Sequence, residues 1–256
     1  KGLSPGNPVA NHPYVSGNNI NSINGNADAD SDVLETRDVS NSAILALQQG
    51  YVDALLARLN KYQHITWEIS NEKTRTAQTV AWEEHWVDYI KSAEAGMANQ
   101  HLVVRSWQWP NGDNADLYAS SADIVNIGGN NNAALSTPPT WPASGASGKV
   151  GGMDTDHHGG LSPVAGWEWK SFCNGFGVLL LMDSWNGEFG DDWTANATIE
   201  QMRYNLGRIA DYAARMDLAN ATPQSSLAST GYCLAKTSGR QQLIAYQPTS
   251  GNFTID

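Results

Sequence analysis

The chain has 256 residues, a formal net charge of −11 and an isoelectric point near 4.8. An acidic surface repels a phosphate backbone and no basic patch offsets it, so nucleic acid is not an expected partner. No apolar run is long enough to span a bilayer, which sets aside a membrane partner as well.

A chain of this length can bury one large core, and α/β barrels often run to this size as a single domain. It begins Lys1-Gly2-Leu3 with neither a start Met nor a signal peptide, as expected of a mature, trimmed or fragmentary chain. Two cysteines, Cys173 and Cys233, permit one disulfide at most and are expected to be separate thiols. Ten Trp is high, and a flat indole suits both core packing and stacking on a sugar ring.

Residues 1–38 are loop-like, dominated by Gly, Asn, Pro, Asp and Ser. Within them, Asn24 to Asp32 followed by Glu35 places oxygen ligands on alternate residues, as in a calcium loop. Ala29 stands where such a loop needs Gly, so a solvated acidic loop is the expectation. Ser40 or Asn41 can cap a helix carrying Ile44, Leu45, Leu47, Val52, Leu55, Leu56 and Leu59 at helical spacing. His64 to Glu72 alternates apolar Ile65, Trp67 and Ile69 with polar residues, the period of a strand. A second helix is predicted over 79–95, with Val80, Trp82, Trp86, Val87 and Ile90 inward.

Further strands are predicted over 101–109, 122–127, 149–154 and 178–182, and helices over 164–176 and from 194 or 196 to 216. Gly151 and Gly152 in the fourth strand suggest close backbone packing. The run Val178 to Met182 is continuously apolar, like a strand buried on both faces. Helix and strand alternate through five strands, which predicts a parallel α/β sheet. From Ser226 the pattern changes to short strands over 231–235, 241–246 and 253–255. The expected division is a barrel-like domain over 1–225 and a short β segment over 226–256.

Two strands end in acids. The first reaches Asn71-Glu72 and the fourth reaches Met153-Asp154-Thr155-Asp156-His157-His158. In a parallel barrel such tips converge on one mouth, where two facing carboxylates suit glycosidic cleavage. A strand ending in Asn-Glu resembles the acid/base strand of clan A glycoside hydrolases, which are TIM barrels. The strings WEISNE, DNADLYAS, MDTDHH, WEWKSF and LASTGYCL, in this order and spacing, resemble a poorly characterised bacterial group of glycoside hydrolases in or near that clan.

The resemblance implies a (β/α)8 barrel whose strands four to eight are evident here, with Glu72 as acid/base and Asn71 on a sugar hydroxyl. Asp154 matches the nucleophile position, which is normally Glu in the clan. Asp156 is the alternative second carboxylate, and an inverting site with Asp as base stays open beside a retaining one. His157 would orient or bind sugar. Trp185 matches an aromatic floor of the sugar site. His12 and Asn19 fall in the loop after the third strand and so near the mouth. Gln108, Trp109 and Asp183 are further candidates at strand tips. The substrate class implied is a β-linked poly- or oligosaccharide, glucan-like, and no cofactor is called for.

Residues 1–38 do not read as the three strand–helix units that a clan A barrel has before the Trp67 strand. Five strands leave two open edges, which an oligomer would cover. Two rivals remain at this level. One is a metal-dependent hydrolase built on Asp154, Asp156, His157 and His158; the other is a carbohydrate-binding fragment without catalysis.

Overall fold

The computed structural model describes residues 9–29, 32–71, 73–129, 133–158, 166–181 and 197–256. It is of the α/β class and divides into two compact units, residues 1–123 and 124–256.

The first unit is built on two helices and a parallel strand pair. Helix α1 spans Ser42–Leu59, and the Asn41 side chain accepts from the Ile44 N–H, closing the first turn. Strand β1 is short, Trp67–Glu68, although the ladder continues where Ile69 N–H donates to Val104 O at 3.2 Å. Helix α2 spans Ala77–Glu94, with the Thr76 hydroxyl as N-cap. Strand β2, Val103–Ser106, runs parallel to β1 with Trp67 opposite Val103. Helix α3, Asn114–Ala119, is capped by Asp113.

The second unit opens with β3, Ile124–Ile127, followed by the short helix α4, Ala133–Ser136. Strand β4, Val150–Asp154, pairs in parallel with β3 and with β5, Val178–Leu180. Helix α5, Trp167–Cys173, lies between β4 and β5 in the chain, and α6, Ala197–Ala213, follows. Strand order is sequential throughout, β1 beside β2 in the first unit and β3, β4 and β5 side by side in the second.

Every residue of β2 and β3 is buried, as parallel strands covered on both faces should be. The expected burial of β5 is not observed. Val178 and Leu179 are half-buried and Leu180 is exposed.

The two glycines of β4 have a steric explanation. A β-carbon on Gly152 would lie 1.7 Å from Asn126 Oδ1, and one on Gly151 would lie 2.5 Å from the Trp141 ring. Only a bare backbone lets β4 approach β3 and Trp141 this closely.

The C-terminal strands form a separate antiparallel sheet in the second unit, in the order β6 (Thr222–Pro223), β7 (Cys233–Lys236) and β8 (Gln242–Ala245). Strand β6 has no counterpart in the sequence pattern, and Ile255 contributes only a single bridge, to Ala228. Leu234 of β7 packs with Phe172 of α5 and Ile209 of α6 in one apolar cluster. The tail is thereby joined to the helices of its own unit. Cys173 and Cys233 are both buried free thiols. Among the described residues, Trp86, Trp107, Trp141 and Trp167 are core residues at 5 % exposure or less.

Candidate functional site

At the tip of β1 the chain is held by α2. Ser70 Oγ donates to Glu83 Oε1 at 2.5 Å. Glu83 is almost fully buried, and its other oxygen accepts from Arg105 Nη2 and from Gln108 Nε2, both at 2.7 Å. Arg105 also reaches Glu84 at 3.1 Å. A buried charge needs both a countercharge and hydrogen bonds, and Glu83 has each.

Gln108 therefore lies inside the protein, its amide engaged by Glu83. Trp109, the next residue, is 42 % exposed and stands edge-on to Trp107. Asn71 is exposed at the end of the β1 segment. Glu72, Asp183 and Trp185 lie outside the described residues.

His12 and Asn19 belong to the first unit and differ in role. Asn19 is a loop staple. Its Nδ2 donates to Pro13, Val15 and Ile23 carbonyls at 2.9–3.1 Å, and its Oδ1 accepts from the Asn21 and Ile23 N–H groups at 3.1 Å. With its side chain so engaged, it is a shaping residue for residues 13–23. His12 is half-buried, accepts at Nδ1 from Tyr14 N–H and lies 5.6 Å from the Tyr14 ring. Burial lowers its pKa, and the nearby charges of Lys73 and Arg37 lower it further. The first loop thus approaches the segment just after the β1 tip.

The Asn24–Glu35 stretch is closed by its own carboxylate. Glu35 Oε1 accepts from Ala27 N–H at 2.7 Å and from Asp28 N–H at 3.3 Å. Ala29 takes the left-handed conformation, φ 60°, at the turn where a calcium loop would carry Gly.

In the second unit, Asp154 is the last residue of β4 and is half-buried. Its Oδ1 accepts from the Asp156 N–H at 3.1 Å, a tight turn that brings Asp156 back beside the tip. A 3-10 turn, Asp156–His158, follows. His157 and His158 are both buried. The His157 carbonyl accepts from Gly129 N–H at 2.9 Å, tying this turn to the end of β3. Burial, reinforced by His157, lowers the His158 pKa to about 4. His158 is therefore a neutral imidazole at neutral pH. Asp154, Asp156 and His157 are thus gathered at one strand end. No group of three or more His, Cys, Asp or Glu among the described residues is arranged to hold a metal ion.

Two features escape a simple reading of the sequence. Glu83 and Glu94 occupy the same stripe of α2 as Thr79, Trp86, Val87 and Ile90. That spacing is the signal, because a carboxylate on an apolar stripe must find a buried partner. Glu168 on α5 is wholly buried, takes a hydrogen bond from Asn205 Nδ2 and has its pKa raised by that burial.

Among the described residues, no helix is long and apolar enough to cross a membrane. The described residues define an α/β protein with parallel strands, one of which, β4, ends in Asp154. Comparison of the chain with protein-family models, curated proteins and solved structures finds no match.

Proposed function

We propose that the chain is a glycoside hydrolase acting on a β-linked poly- or oligosaccharide, glucan-like, with Glu72 as acid/base and Asp154 as nucleophile. The observation that carries this reading is the β4 tip, where Asp154 ends a parallel strand, half-buried, with Asp156 folded back against it. The bond from the Asp156 N–H orients the Asp154 carboxylate at the strand end, as a nucleophile aimed at one carbon requires. The resemblance of WEISNE and MDTDHH to clan A supplies the pairing with Glu72 and the (β/α)8 frame, with β1 to β5 as strands four to eight.

In a retaining mechanism Glu72 protonates the leaving oxygen while Asp154 attacks the anomeric carbon. Water then releases the glycosyl ester with Glu72 acting as base. Asn71 is placed by sequence to bond the hydroxyl beside the reacting carbon. Trp109 offers an exposed face on which a neighbouring sugar can stack. Asp156 and His157 orient the nucleophile and the sugar.

The test is hydrolysis of activated aryl β-glycosides by the whole chain. Glu72→Gln and Asp154→Asn are each expected to lower turnover by at least about a hundredfold, with unchanged circular dichroism. Full activity in either variant removes that residue from the mechanism.

A further inference from the structure

Among the described residues, β1 is paired on one side only, by β2. The Trp67 N–H donates to Leu102 O at 3.0 Å and the Ile69 N–H to Val104 O at 3.2 Å. Alternation along the strand then turns the N–H and C=O of Glu68, which stands between them, away from β2. A backbone donor and acceptor at a sheet edge are matched in spacing by another extended backbone.

Beside that edge lies a cavity of about 230 Å³. Tyr51 and Leu55 of α1 and Trp82 of α2 form part of its wall, and Trp67, Glu68 and Ile69 of β1 all line it. Successive residues of a strand point to opposite faces, so a cavity touched by all three opens along the edge of β1 and not over one face alone. Its wall is mostly apolar. The Trp67 and Trp82 indoles donate to Glu94 and to Gln48, at 3.0 and 2.9 Å, and the Gln48 amide donates to Thr36 O at 2.7 Å. Those polar groups are engaged within the protein, which leaves carbon surface facing the cavity. Tyr51 is 66 % exposed although it belongs to this wall. On the face opposite Trp67 and Ile69, Glu68 is exposed, and its Oε1 accepts from Ser106 Oγ.

We propose that the open side of β1 binds an extended segment of another protein, apolar at alternate residues and carrying a Lys or Arg between them. The backbone of that segment bonds the N–H and C=O of Glu68. Its apolar residues enter the cavity on the side of Trp67 and Ile69, and its cation lies beside the Glu68 carboxylate. A net charge of −11 also draws a cationic segment in. A second copy of the chain is the poorer occupant. Two short β1 strands set against each other bring their Glu68 carboxylates together on one face, and like charges so placed destabilise a strand pair. The inference goes beyond the hydrolase reading and does not depend on it.

The experiment is fluorescence anisotropy on the whole chain with a labelled seven-residue peptide. The probe has Ile at its second, fourth and sixth positions, Lys at its third, and Ser or Thr elsewhere. It is expected to bind at least about fivefold more tightly than the same peptide with Glu in place of Lys, and Glu68→Lys should reverse that order. Methylating the backbone nitrogens of the Ile residues, or instead those of the residues between them, removes the donors on one side of the peptide. One of these two peptides should lose at least about tenfold in affinity and the other should not. Tyr51→Asp, at an exposed position, should weaken the Lys peptide with the melting temperature unchanged. No binding by the Lys peptide, equal binding of the Lys and Glu peptides, or equal loss in both methylated peptides overturns the proposal. A dimer of the native chain in analytical ultracentrifugation that Tyr51→Asp dissociates also overturns it, in favour of a second copy.

Discussion

His101 and His158 are both buried imidazoles beside parallel strands, yet they titrate in opposite directions. His101 precedes β2 in the first unit, where its Nδ1 meets Glu94 Oε1 at 2.7 Å and its Nε2 meets Tyr62 O at 2.7 Å. Burial works against its charge, but the bonds to Glu94 and Tyr62 outweigh burial and its pKa rises. Glu94 is lowered in turn. Burial opposes this, and the His101 N–H, the His101 ring, Asn60 and Trp67 overcome it. His158 follows β4 in the second unit, and there burial prevails, with His157 adding to it. The same side chain is drawn towards its charged form at the entry of one strand, and is neutral beside acids at the exit of another. Burial alone therefore does not set the charge; what stands within hydrogen-bond reach does.

This contrast can be broken in several ways. The largest effect is expected at Glu94. Glu94→Ala leaves the His101 N–H and ring, the Asn60 amide and the Trp67 indole without their shared acceptor. Stability should fall by about 3–5 kcal/mol, read from urea unfolding at pH 6. A loss below about 1 kcal/mol would mean that the cluster is no ion pair.

The next effect is acid sensitivity from His158. Its folded pKa of about 4 lies below the ordinary 6.5. The stability tied to its neutral form is complete above pH 6.5 and is lost as pH falls towards 4. At about 1.4 kcal/mol per unit this amounts to about 3 kcal/mol. Replacing it with a group that does not titrate, His158→Gln, should flatten that limb relative to the native chain in urea midpoints measured from pH 7 to 4. Parallel curves would contradict the assignment.

His101 and Glu94 have the opposite sense together. The raised imidazole contributes fully below pH 6.5 and loses its contribution as pH rises through its folded pKa. The lowered carboxyl contributes fully above pH 4.5 and loses it as pH falls through its own. Their joint contribution peaks between these values. Imidazole proton resonances followed by NMR should place the His101 midpoint above 6.5 and the His158 midpoint well below it. Coincident midpoints would erase the contrast.

The smallest effect on folding is expected at Trp109, which is 42 % exposed. Trp109→Ala should change stability by no more than about 0.5 kcal/mol while weakening oligosaccharide binding in affinity electrophoresis. A large stability loss would make it a packing residue.

The helix and strand pattern was legible because period and capping act locally. The Asn41 cap, the apolar face of α2 and the close packing at Gly151 and Gly152 follow from spacing and residue size alone. Strand β1 is shorter than its alternation suggests, because alternation reports which faces differ and not how far the ladder extends. The site was legible only in part. Asp154, Asp156 and His157 do meet, since four consecutive residues at a strand end have little freedom to separate. Gln108 and Asn19 look like ligand-binding amides in the sequence, yet each satisfies buried or loop groups within the protein. Which amide faces inward depends on partners far along the chain, such as Glu83, that no local pattern shows.

The most direct test of the central claim is chemical rescue at the β4 tip. Asp154→Gly should be inactive on an activated aryl β-glycoside and regain turnover in azide, releasing a glycosyl azide of inverted configuration as the small anion enters the space of the lost carboxylate. Undiminished hydrolysis by Asp154→Gly without azide would contradict a nucleophile at this position.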